Sequence, residues 1–241
     1  MTELLQRILP TVQKPARYTG GEYNEIKKDL RDIRVRVAFC FPDTYEIGMS
    51  NVGMRILYGV MNQMDGVWCE RVFHPWGDME AAMQKHKLPL WALESQDPVK
   101  DFDMIAFSIG YEMAYSNVLN MLRLAQVPLH AKDRKELKNI VYAGGVCTFN
   151  PEPLADFVDF FSLGEGEEST PEIIACYDKA KREKVKKIAH YTIEGIVKDK
   201  AQSAEPETVY KEIKNYLDLL QNMVAVENRM QEERVIDFAA S

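Results

Sequence analysis

Ile33-Arg34-Val35-Arg36-Val37-Ala38-Phe39, running on through Cys40 and Phe41 to Pro42-Asp43, is the stretch that decides the fold. Polar and apolar residues alternate at first, and then the run becomes continuously apolar, as in a strand that enters a core. Phe41-Pro42-Asp43 ends it. Beyond it Val52, Ile56, Leu57, Val60 and Met64 recur at helical spacing and predict a helix over 49–64.

The same alternation repeats along the chain. Val67 to Phe73 reads as a second strand, followed by a helix over Asp78 to Lys87 and a short apolar run, Leu90 to Leu93, of either type. Asp103 to Ser108 is a third strand, with a helix from Met113 to Ala125 that stops before Pro128. Ile140 to Ala143 is a fourth strand ending in Gly144-Gly145, and Phe157 to Leu163 a fifth, with a helix from Thr170 to Arg182 behind it. Strands alternating with helices require crossover connections, hence a mostly parallel sheet. The expected fold is α/β: a flavodoxin-like, doubly wound, Rossmann-type sheet of five strands, since a barrel needs about eight repeats.

The expected organisation is an N-terminal extension over 1–32, the α/β domain over 33–183, and a linker with a helical tail over 184–241. Pro10, Pro15 and Gly20-Gly21 interrupt the extension. In the tail Val209, Ile213, Tyr216, Leu220 and Met223 form an apolar seam, which suits packing on the parent domain or a homodimer through that helix.

Composition narrows the function classes. The 241 residues are 46% hydrophobic and 28% charged, with a net charge of −7, which argues against a general nucleic-acid binder. No apolar run approaches the roughly 20 residues of a membrane span, and the first residues lack a secretory pattern, so a cytoplasmic location is expected. Cys40, Cys69, Cys147 and Cys176 show no close Cys-x-x-Cys pairing and read as ordinary thiols.

In a wound parallel sheet the ligand lies beyond the carboxyl ends of the strands. The loop after the first strand is Asp43-Thr44-Tyr45-Glu46-Ile47-Gly48, where a glycine permits close backbone approach; Ser50 or Asn51 would serve as a plain helix cap. After the third strand comes Ser108-Ile109-Gly110-Tyr111, and after the fourth Gly144-Gly145, which admits a large group or makes a sharp turn. After the fifth comes Gly164-Glu165-Gly166-Glu167-Glu168, whose carboxylates repel a phosphate and suit a helix N-terminus. His74 reads as structural, Trp68, Trp76 and Trp91 as core, and Tyr111 and Tyr115 lie near the ligand edge. Glycines or small polar residues thus stand at all four ligand-edge positions.

Lys14 to Asn24, Phe41 to Ser50, Gly144-Gly145 with Phe149 to Asp156, and Gly164 to Glu168 resemble, in this order, the N-terminal region of a family of cobalamin-binding-domain radical-SAM proteins. The resemblance covers roughly residues 4–180. Cobalamin domains carry Asp-x-His-x-x-Gly, a later Ser-x-Leu and a Gly-Gly pair; here these read Asp43-x-Tyr45-x-x-Gly48, Ser108-Ile109-Gly110 and Gly144-Gly145. The resemblance therefore implies cobalamin held by Asp43, Thr44, Tyr45, Gly48, Ser108, Gly110, Gly144, Gly145, Gly164 and Gly166. Tyr45 replaces the histidine, so no imidazole from this loop is expected on the cobalt. The Cys-x-x-x-Cys-x-x-Cys of a radical-SAM core is absent, so no iron–sulfur cluster, catalytic residue or metal ligand is expected in this chain.

The implied partner is a radical-SAM catalytic subunit that holds the cluster and S-adenosyl-L-methionine. The alternatives are a ligand-free scaffold domain that docks such a partner or self-associates, and a flavin- or nucleotide-binding flavodoxin-like protein. Asp43 and Glu46 in the first loop oppose the last of these.

Overall fold

The structure, a computed structural model, describes residues 2–134 and 138–183. The tail expected over 184–241, with its apolar seam and homodimer contact, lies outside the described residues. The chain divides into two compact units, 1–134 with 138–170, and 135–137 with 171–241.

The first unit holds β1 (Val35–Phe41), β2 (Val67–Phe73), β3 (Met104–Ser108), β4 (Ile140–Gly144) and β5 (Phe160–Phe161). Every pairing is parallel and the order is β2-β1-β3-β4-β5, the flavodoxin-like doubly wound α/β arrangement. Its switch point, where successive connections leave in opposite directions, lies between β1 and β3. The helices are α1 (Thr2–Ile8), α2 (Tyr45–Ser50), α3 (Val52–Gln63), α4 (Gly77–His86), α5 (Tyr115–Leu124) and α6 (Gly166–Glu183). Helix α6 carries the described residues of the second unit.

β2 stands at the sheet edge, yet all seven of its residues are buried. The run of uncertain type explains this. The amide of Leu93 donates to the Arg71 carbonyl at 2.8 Å, the amide of Ser95 donates to Glu70, and Trp91 bridges to Pro98. The N-terminal residues add a second cover, with the Trp68 indole N–H donating to the Ile26 carbonyl at 3.0 Å. Covering an edge strand prevents its unpaired groups from recruiting another chain. Leu5, Ile8, Val12 and Tyr18 belong to the same buried cluster as the strand residues Ala38, Ile105 and Val141.

Four local expectations need correction. The helix expected over 49–64 is two helices, because the Asn51 carboxamide accepts from the Met54 amide at 2.8 Å and starts α3 afresh. The fifth strand shrinks from 157–163 to Phe160–Phe161, since the amides of Phe157 and Val158 turn back to the Leu154 carbonyl. The last helix starts at Gly166 rather than Thr170. Trp76, expected in the core, is 48% exposed with the Arg17 guanidinium lying 5.2 Å from its ring centroid; Trp68 and Trp91 are buried.

Candidate functional site

β1 delivers Asp43 to the carboxyl edge beside the switch point. One carboxylate oxygen accepts from the Thr44 amide at 2.6 Å, and the other accepts from the Tyr111 hydroxyl. This second bond links the loop after β1 to the loop after β3. Asn117 of α5 adds a parallel tie, donating to the Pro42 carbonyl at 2.9 Å.

Thr44 precedes α2 in extended conformation, so Tyr45 opens that helix. Its ring meets Phe73 edge-on at 5.4 Å and its hydroxyl donates to Glu22 at 3.0 Å. Burial and the nearby Glu22 push the phenol up to about 12. The contacts continue inward: Glu22 pairs with Arg71 at 3.3 Å, and Arg71 with Glu94 at 2.6 Å. The Arg71 amide also donates to Glu94, and the Arg71 guanidinium lies 4.5 Å from the Tyr58 ring centroid. Arg71 and Glu94 are nearly sealed from solvent, and burial pushes the Glu94 carboxyl up to about 7 against the pull of Arg71. On the same α2, Glu46 takes ion pairs from Lys14 and Arg17. A small cleft of about 20 Å³, with Arg17, Thr44, Tyr45, His74 and Trp76 in its lining, sits beside these pairs.

The glycines fall into two kinds. A Cβ on Gly48 would stand 2.3 Å from the Phe73 ring and 3.2 Å from Phe41, and one on Gly166 would stand 3.2 Å from Leu57. Gly145, at φ +100°, would bring its Cβ to 2.6 Å from the Ile109 carbonyl oxygen. These three serve close packing between elements. Gly110 and Gly164 have nothing within 4 Å of an added Cβ, and Gly144 only the Ser162 carbonyl oxygen at 3.8 Å. Ser108 ends β3 and pairs in register with Gly144. The carboxyl edge therefore brings together Asp43, Ser108, Gly110, Gly144 and Gly164 as a rim whose backbone is open on β3, β4 and β5, while Tyr45, Gly48, Gly145 and Gly166 face protein.

The Tyr45 hydroxyl of the first loop is committed to Glu22. Among the described residues no group of three or more His, Cys, Asp and Glu side chains could hold a metal ion. Cys40, Cys69 and Cys147 are buried free thiols on separate elements. His74 is held through its ring nitrogen to Asn120 at 2.9 Å, a structural role. No described helix is long and apolar enough to cross a membrane.

The reading of the loops alone misses the Glu22–Arg71–Glu94 chain. Its signal is present in the sequence as Glu70-Arg71 inside an otherwise apolar strand, because buried charges demand partners.

Comparison with known proteins adds the following. The family described as radical SAM proteins, N-terminal, matches residues 53–195, more than half of the chain. An uncharacterized protein of Methanocaldococcus jannaschii is 27% identical over 136 residues, which is 55% of this chain and 24% of that protein. The chain thus spans about a quarter of that relative's length. No solved structure matches.

Proposed function

Since this chain belongs to the family of N-terminal regions of radical SAM proteins, we propose that it is a cofactor-binding module that lays a cobalamin-type corrinoid on the carboxyl edge of its sheet. The observation that carries the reading is the open backbone at Gly110, Gly144 and Gly164, on three adjoining strand ends where ligands of such sheets lie. Asp43, Ser108 and those three glycines would hold the group, with no protein side chain from the first loop on the metal. When bound, a corrinoid supplies the reactive cobalt, and the protein supplies binding and orientation. The chain itself carries out no radical step in this reading; the cluster and S-adenosyl-L-methionine belong to a radical-SAM catalytic partner. The free thiols of Cys40, Cys69 and Cys147 suit a reducing, cytoplasmic setting.

The test is reconstitution with hydroxocobalamin, gel filtration, and a visible spectrum of the protein peak. Retained corrinoid near one per chain is expected, unchanged in Tyr45→Phe. Native circular dichroism with no retained corrinoid would sink the assignment.

One observation favours a second reading. The space at Gly48 is filled by Phe73, and the Asp43–Tyr111 bond spans the switch point, as in a domain that keeps the fold, has no ligand, and docks a radical-SAM partner. In that case hydroxocobalamin washes through.

A further inference from the structure

The apolar repeat that marks α3 in the sequence is not the face that the helix buries. Its buried residues are Met54, Tyr58, Met61 and Asn62, whereas Val52 is 64% exposed and Ile56 43%. Helix α3 thus has a second apolar ridge, and Ile47 of the preceding α2 is half exposed as well. Single apolar residues on a surface are ordinary, but these recur at helical spacing. Gly59 falls on the same side, one turn beyond Ile56, and an added Cβ there would meet nothing within 4 Å. Glycine is the poorest helix former after proline, so bare backbone at this point does not serve the helix itself; it suits the close approach of another element.

The two flanks of this ridge carry opposite charge. At about 100° per residue, Arg55 and Leu57 stand about 160° apart around the helix axis. Arg55 is exposed and has no ion pair among the described residues. On its flank the segment 22–26 runs past Tyr58, whose hydroxyl accepts from the Ile26 amide at 2.8 Å, and presents Tyr23 fully exposed. On the other flank Gly166 packs against Leu57, which places the first turn of α6 there, with Glu167 and Glu168 exposed. A surface with this pattern is complementary to itself. A two-fold axis lying along α3 sets two copies of the helix side by side and parallel, ridge on ridge, with each flank against the opposite flank of the other copy. The heights agree too, since Arg55 and Leu57 differ by only about 3 Å along the axis. An antiparallel pair would set Arg55 against Arg55.

We infer that α2 and α3 form the isologous contact of a homodimer of this chain. Ile47, Val52, Ile56 and Gly59 make its centre, and Arg55 of each copy pairs with Glu167 and Glu168 of the other. The apolar centre holds the complex, and the paired flanks set its parallel orientation. The inference does not depend on the corrinoid reading.

The experiment is sedimentation velocity of the full chain over a micromolar concentration series, where a monomer–dimer equilibrium is expected. Ile56→Asp should weaken the dimer about tenfold or more, because it puts a carboxylate at the buried centre. Gly59→Leu should weaken it by a similar factor without lowering Tm, since leucine favours the helix. That pairing of results separates the contact from a role in folding. Arg55→Glu should weaken the dimer about tenfold, and adding Glu167→Lys and Glu168→Lys to Arg55→Glu should restore it, because the flanks then pair with reversed sign. Circular dichroism checks that each variant folds; if Ile56→Asp does not, Val52→Ser replaces it with a loss in the same direction. A monomer at every concentration, a dimer indifferent to Ile56→Asp or to Gly59→Leu, or a loss in Arg55→Glu that the reversed pairs fail to restore would each overturn the inference.

Discussion

Arg71 is where the chemistry of single residues is most consequential, because a guanidinium in a fully buried strand survives only with its partners in place. Glu94 accepts from both its side chain and its amide, and Glu22 completes the set. Removing one partner of such a pair leaves a buried charge, at a cost of about 3–5 kcal/mol. Glu94→Ala should lose about that much in urea unfolding. The pH dependence has a definite sign. Burial raises the folded-state Glu94 carboxyl to about 7, above its unfolded value near 4.5. The folded protein therefore holds an extra proton between those values, and by linkage its stability falls as pH rises through that window. In Glu94→Gln that decline should vanish, so the gap between wild type and variant narrows from pH 5 to pH 8; parallel curves would refute the burial argument. Gly48 offers a second test. Its Cβ position lies 2.3 Å from the Phe73 ring, so Gly48→Ala should cost about 1–3 kcal/mol by overpacking, with partial rescue in Gly48→Ala, Phe73→Leu. Of this chemistry the sequence displayed the charged pair Glu70-Arg71, but not its partners. Glu94 and Glu22 lie 23 and 49 residues from Arg71, and no local pattern connects them.

At the scale of elements, what was legible follows the reach of each signal. The strand Val67–Phe73 is found where its apolar run predicts, because continuous burial on both faces leaves a strong imprint on composition. The break between α2 and α3 was not legible from periodicity, since the apolar spacing runs through it; the capping residue decides it. Asn51→Ala removes a hydrogen bond to the Met54 amide and should cost about 1 kcal/mol, read as a drop of a few degrees in Tm. An unchanged Tm would mean that α3 does not depend on its cap. β5 was overestimated for a related reason. Its apolar residues serve two purposes, and Phe157 and Val158 belong to a turn on Leu154 rather than to the ladder. The role of Leu90 to Leu93 could not be read at all from its own residues, because it exists to cover an edge that only the assembled sheet presents.

For the molecule as a whole, the five-stranded parallel α/β sheet was legible, while the division of labour among the glycines was not. Gly110 and Gly145 look alike in sequence, each following a strand. In the fold Gly110 faces open space, whereas Gly145 adopts φ +100° against the backbone of Ile109. The distinction depends on where a neighbouring strand happens to run, and spacing carries no trace of it. It makes the site separable from the scaffold. Gly145→Ala meets both an unfavourable backbone conformation and a contact of 2.6 Å, so it should destabilise the protein by about 1–3 kcal/mol in urea unfolding. Gly110→Leu meets neither, so stability should stay within about 0.5 kcal/mol of wild type. Its side chain would nevertheless stand on the open rim between Asp43 and Gly144, where a macrocycle would lie. Hydroxocobalamin retention should therefore be lost in Gly110→Leu at wild-type Tm. If Gly110→Leu retains corrinoid as wild type does, the group sits elsewhere and the open rim belongs to the docking partner alone.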